Sequence, residues 1–454
     1  MPTQSINPLS GTVIQEFEEH SDQHIQEALT RAEDTYECWK EFTIQERASR
    51  TQAAARQLRQ HKDRYAQLMT DEMGKLKREA VAEIEKCALA CDYYAEHAER
   101  FLADEPLPVE EGEAYIAYDP IGTVLAVMPW NYPFWQVIRF AVPNLLTGNV
   151  GLLKHASNVP QCALALEEVF REAGFPDGAF QNLFISNEQV AAVLSDPRVK
   201  ADTLTGSERA GSAVAAKAGE QLKKTVLELG CSDPFIVLSD ADVEQAAKVA
   251  VKARMQNCGQ SCIAAKRFII VREVADAFTE AFVRQIKALQ QGDPNDDATD
   301  YGPMARKDLV DTLLEQVEQS VAQGAKILVG GTRSEKPGAF FDATVLTNIP
   351  VGSPAYSQEL FGPVASIFVA ANEDEAVQIA NGSPYGLGGS IWTQDTERGK
   401  EIARQVESGA VYINKMMASD PAVPFGGVKQ SGYGRELSHL GIREFTNQKT
   451  IWVK

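Results

Sequence analysis

Between Asn149 and Gly219 short apolar runs and helical stretches take turns along the chain: NVGLLKHA, QCALALEEVFREAG, AFQNLFIS, EQVAAVLSD, ADTLTG and SERAGSAVAAKAG. Few architectures satisfy that alternation, because adjacent parallel strands need a long crossover and its helix must cover the sheet. The pattern predicts a doubly wound α/β unit with a mostly parallel sheet. A second series runs from PFIVLSD through KRFIIVRE, DAFTEAFVRQIKAL and AKILVGG to ASIFVAA, which predicts a second α/β unit. With 454 residues the chain is longer than one hydrophobic core supports.

The flanks read differently. From Ile25 to Ala103 the chain is charged, Ala- and Glu-rich and nearly free of Gly and Pro, so consecutive helices are expected. EAYIAYDPIGTVLAVMPW, with Asp119, Pro120 and Gly122 between β-branched and aromatic residues, predicts a hairpin leading into a buried strand. The terminal TIWVK is strand-like and suited to pairing with that hairpin or with a partner. A formal charge of −19 leaves no surplus of Lys and Arg to replace phosphate counterions, which argues against nucleic acid as a partner. The opening MPTQSINPLSGTVIQEFEEH has neither a basic n-region nor an apolar h-region, and no run approaches the roughly 20 apolar residues of a membrane span. The expected setting is the cytoplasm.

Seven cysteines, an odd number without a secretion signal, do not suggest a disulfide framework. Cys87 and Cys91 fall on one face of a predicted helix. Cys258 and Cys262, in QNCGQSC, are compatible with a metal half-site, a redox pair, a nucleophile beside a bystander, or two small core residues. None of the histidines (His20, His24, His61, His97, His155, His439) is near them in sequence, so four ligands are not assembled and no metal is expected.

Three further features bear on a ligand. LTGSERAG runs from a strand through Gly206 and Ser207 to Gly211 at the head of a helix, where free N–H groups suit a pyrophosphate. Lys154 ends an apolar run, near the crevice where such sheets bind ligands. Glu228, between Leu227 and Leu229, is a carboxylate in apolar company, whose pKa should rise toward the range of a general base; a surface glutamate is the alternative.

PWNYP at 129–133, LTGSERAG at 204–211, LELG at 227–230, GQSC at 259–262, ELFGP at 359–363 and PFGGVKQSGYGRE at 424–436 stand in the order and spacing of the aldehyde dehydrogenase superfamily, which the chain resembles from about residue 10 to its end. Within it, VMPWNYPFWQVIRF with SDPAVPFGGVKQSGYGRE looks most like the succinate-semialdehyde dehydrogenases. The resemblance implies a Rossmann-type cofactor-binding domain (1–110 and 130–229), an α/β catalytic domain (230–422) and a small β oligomerisation element (111–129 and 423–454). It implies Cys262 as nucleophile, Asn131 as the amide that holds the oxyanion with the Cys262 N–H, and Glu228 as the base that activates water to hydrolyse the thioester. Trp130, Lys154, Ser157, Gly206, Ser207, Gly211, Glu359 and Phe361 would hold the cofactor. Trp135, Arg139 and Ser419 would face the substrate, with Arg139 taking its carboxylate; pairing of Arg139 with an internal Asp or Glu is the alternative reading. A homodimer or dimer of dimers, joined through the terminal strand, is also implied.

Two departures from the family pattern carry information. Where NAD-preferring relatives place a glutamate that accepts from both ribose hydroxyls, this chain has Ser157, which does not repel a 2′-phosphate; NADP is expected over NAD. Cys231 and Ser232 replace a Gly-Lys pair beside Glu228. Cys231 and Cys258 are also conceivable disulfide partners for a low-pKa thiolate at Cys262.

Overall fold

The computed structural model describes residues 3–454. Helices Asp22–Trp39, Ile44–Gln60, Lys62–Met73 and Lys77–Phe101 occupy the stretch predicted to be helical. Their ends follow capping chemistry: Ser21 accepts from the His24 N–H, Thr43 and Glu46 cap each other reciprocally, and Gly74 closes the third helix at φ 74. Cys87 and Cys91 are both buried on the inner face of Lys77–Phe101, as their spacing predicts.

Strands Thr123–Met128, Val150–His155, Phe180–Asn182, Val199–Thr205 and Lys224–Glu228 form a parallel sheet with Thr123–Met128 in the middle. The chain first moves outward through Val150–His155 to Phe180–Asn182, then crosses back to Val199–Thr205 and Lys224–Glu228. Strand order therefore reverses beside Thr123–Met128, and the crevice at the carboxyl ends of that strand and Val199–Thr205 is where an open α/β sheet binds ligands. PWNYP leaves the first of these ends, and Gly206 and Ser207 leave the second.

The second unit has seven strands in the order Lys326–Val329, Thr344–Thr347, Val364–Ala370, Arg267–Val271, Pro234–Val237, Gly388–Trp392, Ala410–Ile413, parallel except for the first pair. Phe235, Phe268, Phe278, Phe282 and Trp392 pack together in its core. A third, antiparallel sheet joins Thr446–Val453, Glu113–Pro120 and Glu105–Leu107. Among the described residues no helix is long and apolar enough to cross a membrane.

The hairpin predicted around Asp119–Gly122 does not form. Glu113–Pro120 pairs with the terminal strand in the small sheet, and Thr123–Met128 enters the cofactor-side sheet. Burial shows why: Glu113–Pro120 is mostly half-exposed, while Thr123–Met128 is covered on both faces, as a central parallel strand must be. Asn149 Oδ1 holds the turn by accepting from the N–H groups of Ile121 (2.7 Å) and Gly122 (2.9 Å). The expected boundaries shift accordingly. Residues 123–128 leave the 111–129 segment for the first unit, Glu105–Leu107 joins the small sheet, and Gly432–Tyr433 adds an antiparallel strand to the first unit. A hairpin of Thr3–Ile6 and Val13–Phe17 was not anticipated; its second strand is largely exposed and carries little apolar signal.

Candidate active site

The helix Val243–Met255 ends in the QNCGQSC turn, where Asn257, Cys258 and Gly259 take φ of 52°, 53° and 72°. Left-handed conformations at non-glycine residues cost on the order of 1–3 kcal/mol each and persist only when surroundings fix them. Here the Asn257 N–H donates to Glu79 Oε2 (3.1 Å), and Asn257 Nδ2 donates to the carbonyls of Asn131 (2.8 Å) and Gln260 (3.0 Å). Lys266 Nζ donates to the carbonyls of Ser261 and Cys262, at 2.8 Å each. At Gly259 a Cβ would collide with the Gly362 carbonyl. The outcome is asymmetric: Cys258 is 5% exposed in the core of the second unit, while Cys262 is partly accessible.

Two cavities meet at Cys262. One, of 250 Å³, is lined by Trp130, Asn131, Gly206, Ser207, Glu359 and Phe361 among others. The other, of 130 Å³, has walls that include Trp135, Arg139, Ser419, Lys86 and Phe425. Both include Cys262 in their walls, so this residue joins two chambers, the first where the resemblance expects the cofactor and the second where it expects the substrate.

Asn131 is positioned from behind. Its Oδ1 accepts from Gln136 Nε2 (3.0 Å), and its Nδ2 donates to the Gln260 carbonyl (3.1 Å), which leaves the second amide hydrogen free. The Cys262 N–H finds no acceptor among the described residues. The turn itself rests on a buried ion pair of Lys75 and Glu83: Lys75 donates to the Asn131 carbonyl (2.9 Å), and Glu83 Oε1 accepts from the N–H groups of Phe134 and Trp135 (3.0 Å each). His155 Nε2 lies 3.0 Å from the Pro133 carbonyl, and its Nδ1 accepts from the Ala156 N–H, so the ring braces PWNYP and faces no ligand.

On the cofactor side, Ser207 caps the helix Glu208–Glu220 by accepting from the Ala210 N–H (3.4 Å), so the helix N-terminus opens toward the Cys262 chamber. A further 370 Å³ cavity, lined by Val127, Val190, Leu204, Ala213 and Val214, continues between this helix and Asn187–Ser195. Lys154 is half-buried at its strand end without a carboxylate partner, and burial lowers its pKa. An anion would restore the lost solvation, so this donor set fits a phosphorylated dinucleotide. Ser157 is exposed beyond the same strand. Phe361 stands edge-on to Trp130 with centroids 5.8 Å apart. Glu359 forms an ion pair with the buried Lys266 (2.9 Å), which thus ties this wall to the Cys262 loop. Gly211 is buried, and a Cβ there would come within 2.6 Å of Leu229, so its small size serves the packing of the helix against that residue.

A family model described as "Aldehyde dehydrogenase family" matches residues 2–451. The chain belongs to the aldehyde dehydrogenase family. It is 51% identical over 453 residues to a probable succinate-semialdehyde dehydrogenase [NADP(+)] of Synechocystis sp., with 100% of each chain covered. It is 50% identical to the succinate-semialdehyde dehydrogenase [NADP(+)] of Mycolicibacterium paratuberculosis, covering 100% of this chain and 97% of the relative. The crystal structure of succinic semialdehyde dehydrogenase from Streptococcus pyogenes in complex with NADP+ superposes with a TM-score of 0.98 at 41% identity, over 99% of both chains.

In this aldehyde dehydrogenase the electrostatics differ from one sequence-based expectation. Cys262 is not a low-pKa thiolate: burial pushes its thiol up to about 12, with Arg139 and Lys266 opposing. All seven cysteines are free; the Cys231 thiol hydrogen-bonds to Asp233 and accepts from the Leu387 N–H (3.3 Å). Cys231 and Ser232 thus serve the junction with the second sheet, where the Ser232 carbonyl also accepts from Arg267 (2.8 Å).

Arg139 is engaged internally. Its Nε lies 2.5 Å from Glu436 Oε2, its Nη2 donates to Thr205 Oγ1 (3.2 Å), and its guanidinium stacks 4.8 Å over Phe425. Glu228 is 2% exposed and unbonded; burial raises it well above the ordinary carboxylate range, Glu436 adds to the rise, and Arg139 opposes it. Its Oε1 sits 2.9 Å from the place a Cβ on Gly426 would occupy, and its charge acts on the Cys262 thiol. Sequence reasoning missed Glu436, Lys266 and Lys86. The first lies inside the quoted PFGGVKQSGYGRE segment, but only folding brings it to Arg139.

Proposed function

We propose that the protein oxidises succinate semialdehyde to succinate with NADP as hydride acceptor. The observation that carries this reading is the Cys262 thiol shared by two chambers, one walled by Asn131, Glu359 and Phe361 and one by Trp135, Arg139 and Ser419. The named relatives at about half identity over the whole chain support the substrate and cofactor.

Cys262 sulfur, once deprotonated, bonds to the aldehyde carbon, and the negative charge moves to the carbonyl oxygen. Asn131 Nδ2 and the Cys262 N–H supply donors for that oxygen. Lys154 and the helix N-terminus at Ser207 would hold NADP, which would supply the hydride acceptor for this carbon. Glu228, raised in pKa and therefore a competent base once ionised, takes a proton from water as the water attacks the thioester; the C–S bond breaks and the acid leaves. Arg139 balances Glu436 and Glu228 in the resting site, and the substrate carboxylate enters the chamber walled by Arg139, Trp135 and Ser419.

Assembly as a homodimer or dimer of dimers is part of the proposal. The strand Thr446–Val453 is an edge of the small sheet, and Trp452 and Val453 on it are 63% and 54% exposed. Such an edge calls for a cover. The deciding experiment follows absorbance of the reduced cofactor over a panel of aldehydes with NADP and with NAD. The specificity constant should be highest for succinate semialdehyde with NADP; parity with butanal, or with NAD, refutes the corresponding half of the proposal.

A further inference from the structure

The substrate-side chamber contains a cation that the expected chemistry leaves without a task. Lys86, on the helix Lys77–Phe101, is half-buried in its wall. Its Nζ donates to Ser419 Oγ (2.6 Å) and sits 4.1 Å from the centroid of the Trp135 ring. It forms no ion pair among the described residues, and an ammonium has three donors, of which Ser419 accepts one. Glu83, one turn earlier, is committed to Lys75 and the backbone of Phe134 and Trp135. Arg139 already faces two buried carboxyls, Glu436 and Glu228. A substrate carboxylate there would be a third negative group around one guanidinium.

Resting on the proposed function, we infer that Lys86 is the specificity-determining cation of the substrate chamber, receiving the carboxylate of the aldehyde acid together with Ser419, while Arg139 chiefly balances the internal acids. The surroundings fit an anion's route. Lys86, Tyr132, Trp135 and Gln256 also line an adjoining 490 Å³ cavity, to which Arg78, Lys248 and Lys252 contribute positive charge. Lys248 and Lys252 make no ion pair among the described residues. Of the acids in that cavity, Glu79 accepts from the Asn257 N–H and Asp300 accepts from the Gln290 N–H. On a chain of charge −19, this is where an anionic aldehyde meets unpaired cations. Burial lowers Lys86 to about 8 and Arg139 adds to the fall, while Cys87, Glu83 and Asp420 only partly support its charge; an incoming carboxylate would reverse that shift.

The test is the ratio of specificity constants for succinate semialdehyde and butanal, measured with NADP on the full chain. In Lys86→Met that ratio should fall by on the order of tenfold to a hundredfold, as for loss of one charge-assisted hydrogen bond. The fall should sit in KM for succinate semialdehyde, and Lys86→Arg should recover part of it. Lys86→Gln, which keeps a donor for Ser419, serves where the methionine variant does not fold, and it should lose the ratio too. An unchanged ratio in a folded variant overturns the role of Lys86 while leaving the proposed function standing. A wild-type protein that does not favour succinate semialdehyde over butanal overturns both.

Discussion

Replacing Arg139 by methionine should destabilise the protein in a strongly pH-dependent way. The side chains of Arg139 and Glu436 are 2% and 6% exposed, and their Nε–Oε2 separation is 2.5 Å. Removing one partner of such a pair leaves a buried charge and costs about 3–5 kcal/mol. The cost is capped by protonation. Burial already raises Glu436 above the ordinary value of 4.5, and Arg139 is the group that opposes the rise, as it does for Glu228. Without Arg139 both carboxyls hold protons in the folded state that the unfolded chain has released. Stability then falls as pH rises above the unfolded pKa, by at most about 1.4 kcal/mol per pH unit for each carboxyl. The divergence grows with pH above the unfolded carboxylate range and is bounded by the roughly 3–5 kcal/mol expected for breaking such a pair. Urea-unfolding midpoints followed by tryptophan fluorescence should therefore nearly coincide for wild type and Arg139→Met at pH 5 and diverge at pH 7.5. Adding Glu436→Gln to the variant should restore much of the loss at the higher pH. A deficit that does not change with pH, or a double variant no more stable than the single one, would refute the pairing.

Other consequences are simpler to measure. Because burial holds the Cys262 thiol up to about 12, alkylation by iodoacetamide in the absence of cofactor should still be accelerating with pH at pH 9, with no plateau near neutrality. Ser157→Glu should lower the specificity constant for NADP relative to NAD by on the order of tenfold or more, read from initial rates, since a carboxylate would face the 2′-phosphate. Gly211→Ala, with its Cβ 2.6 Å from Leu229, should lower the unfolding midpoint by an amount equivalent to about 1–3 kcal/mol while changing the cofactor dissociation constant little; a selective loss of cofactor binding would restore the pyrophosphate role.

Much of the architecture was legible because the relevant signals are local. Short continuous apolar runs and helical apolar patterns mark the strands and helices of both units, and Ser207 lies between a strand and a helix as the alternation predicts. The hairpin around Asp119–Gly122 was misread because a turn signal says where the chain bends and not which sheet each arm joins. The packing of Gly211 against Leu229 was not legible, because the motif fixes its place in sequence and not its tertiary neighbours.

The fold class was legible from the alternation of apolar runs and helical stretches, and the reactive residues from the resemblance that the ordered motifs carry. Tertiary structure decided what each charge does. Arg139 and Glu436 are separated by nearly three hundred residues, as are Lys86 and Ser419 by more than three hundred. Whether a buried cation is already matched or still wants an anion depends on which distant acid folds against it. That matching is a property of long-range contacts and desolvation, neither of which is written in any local stretch of the chain.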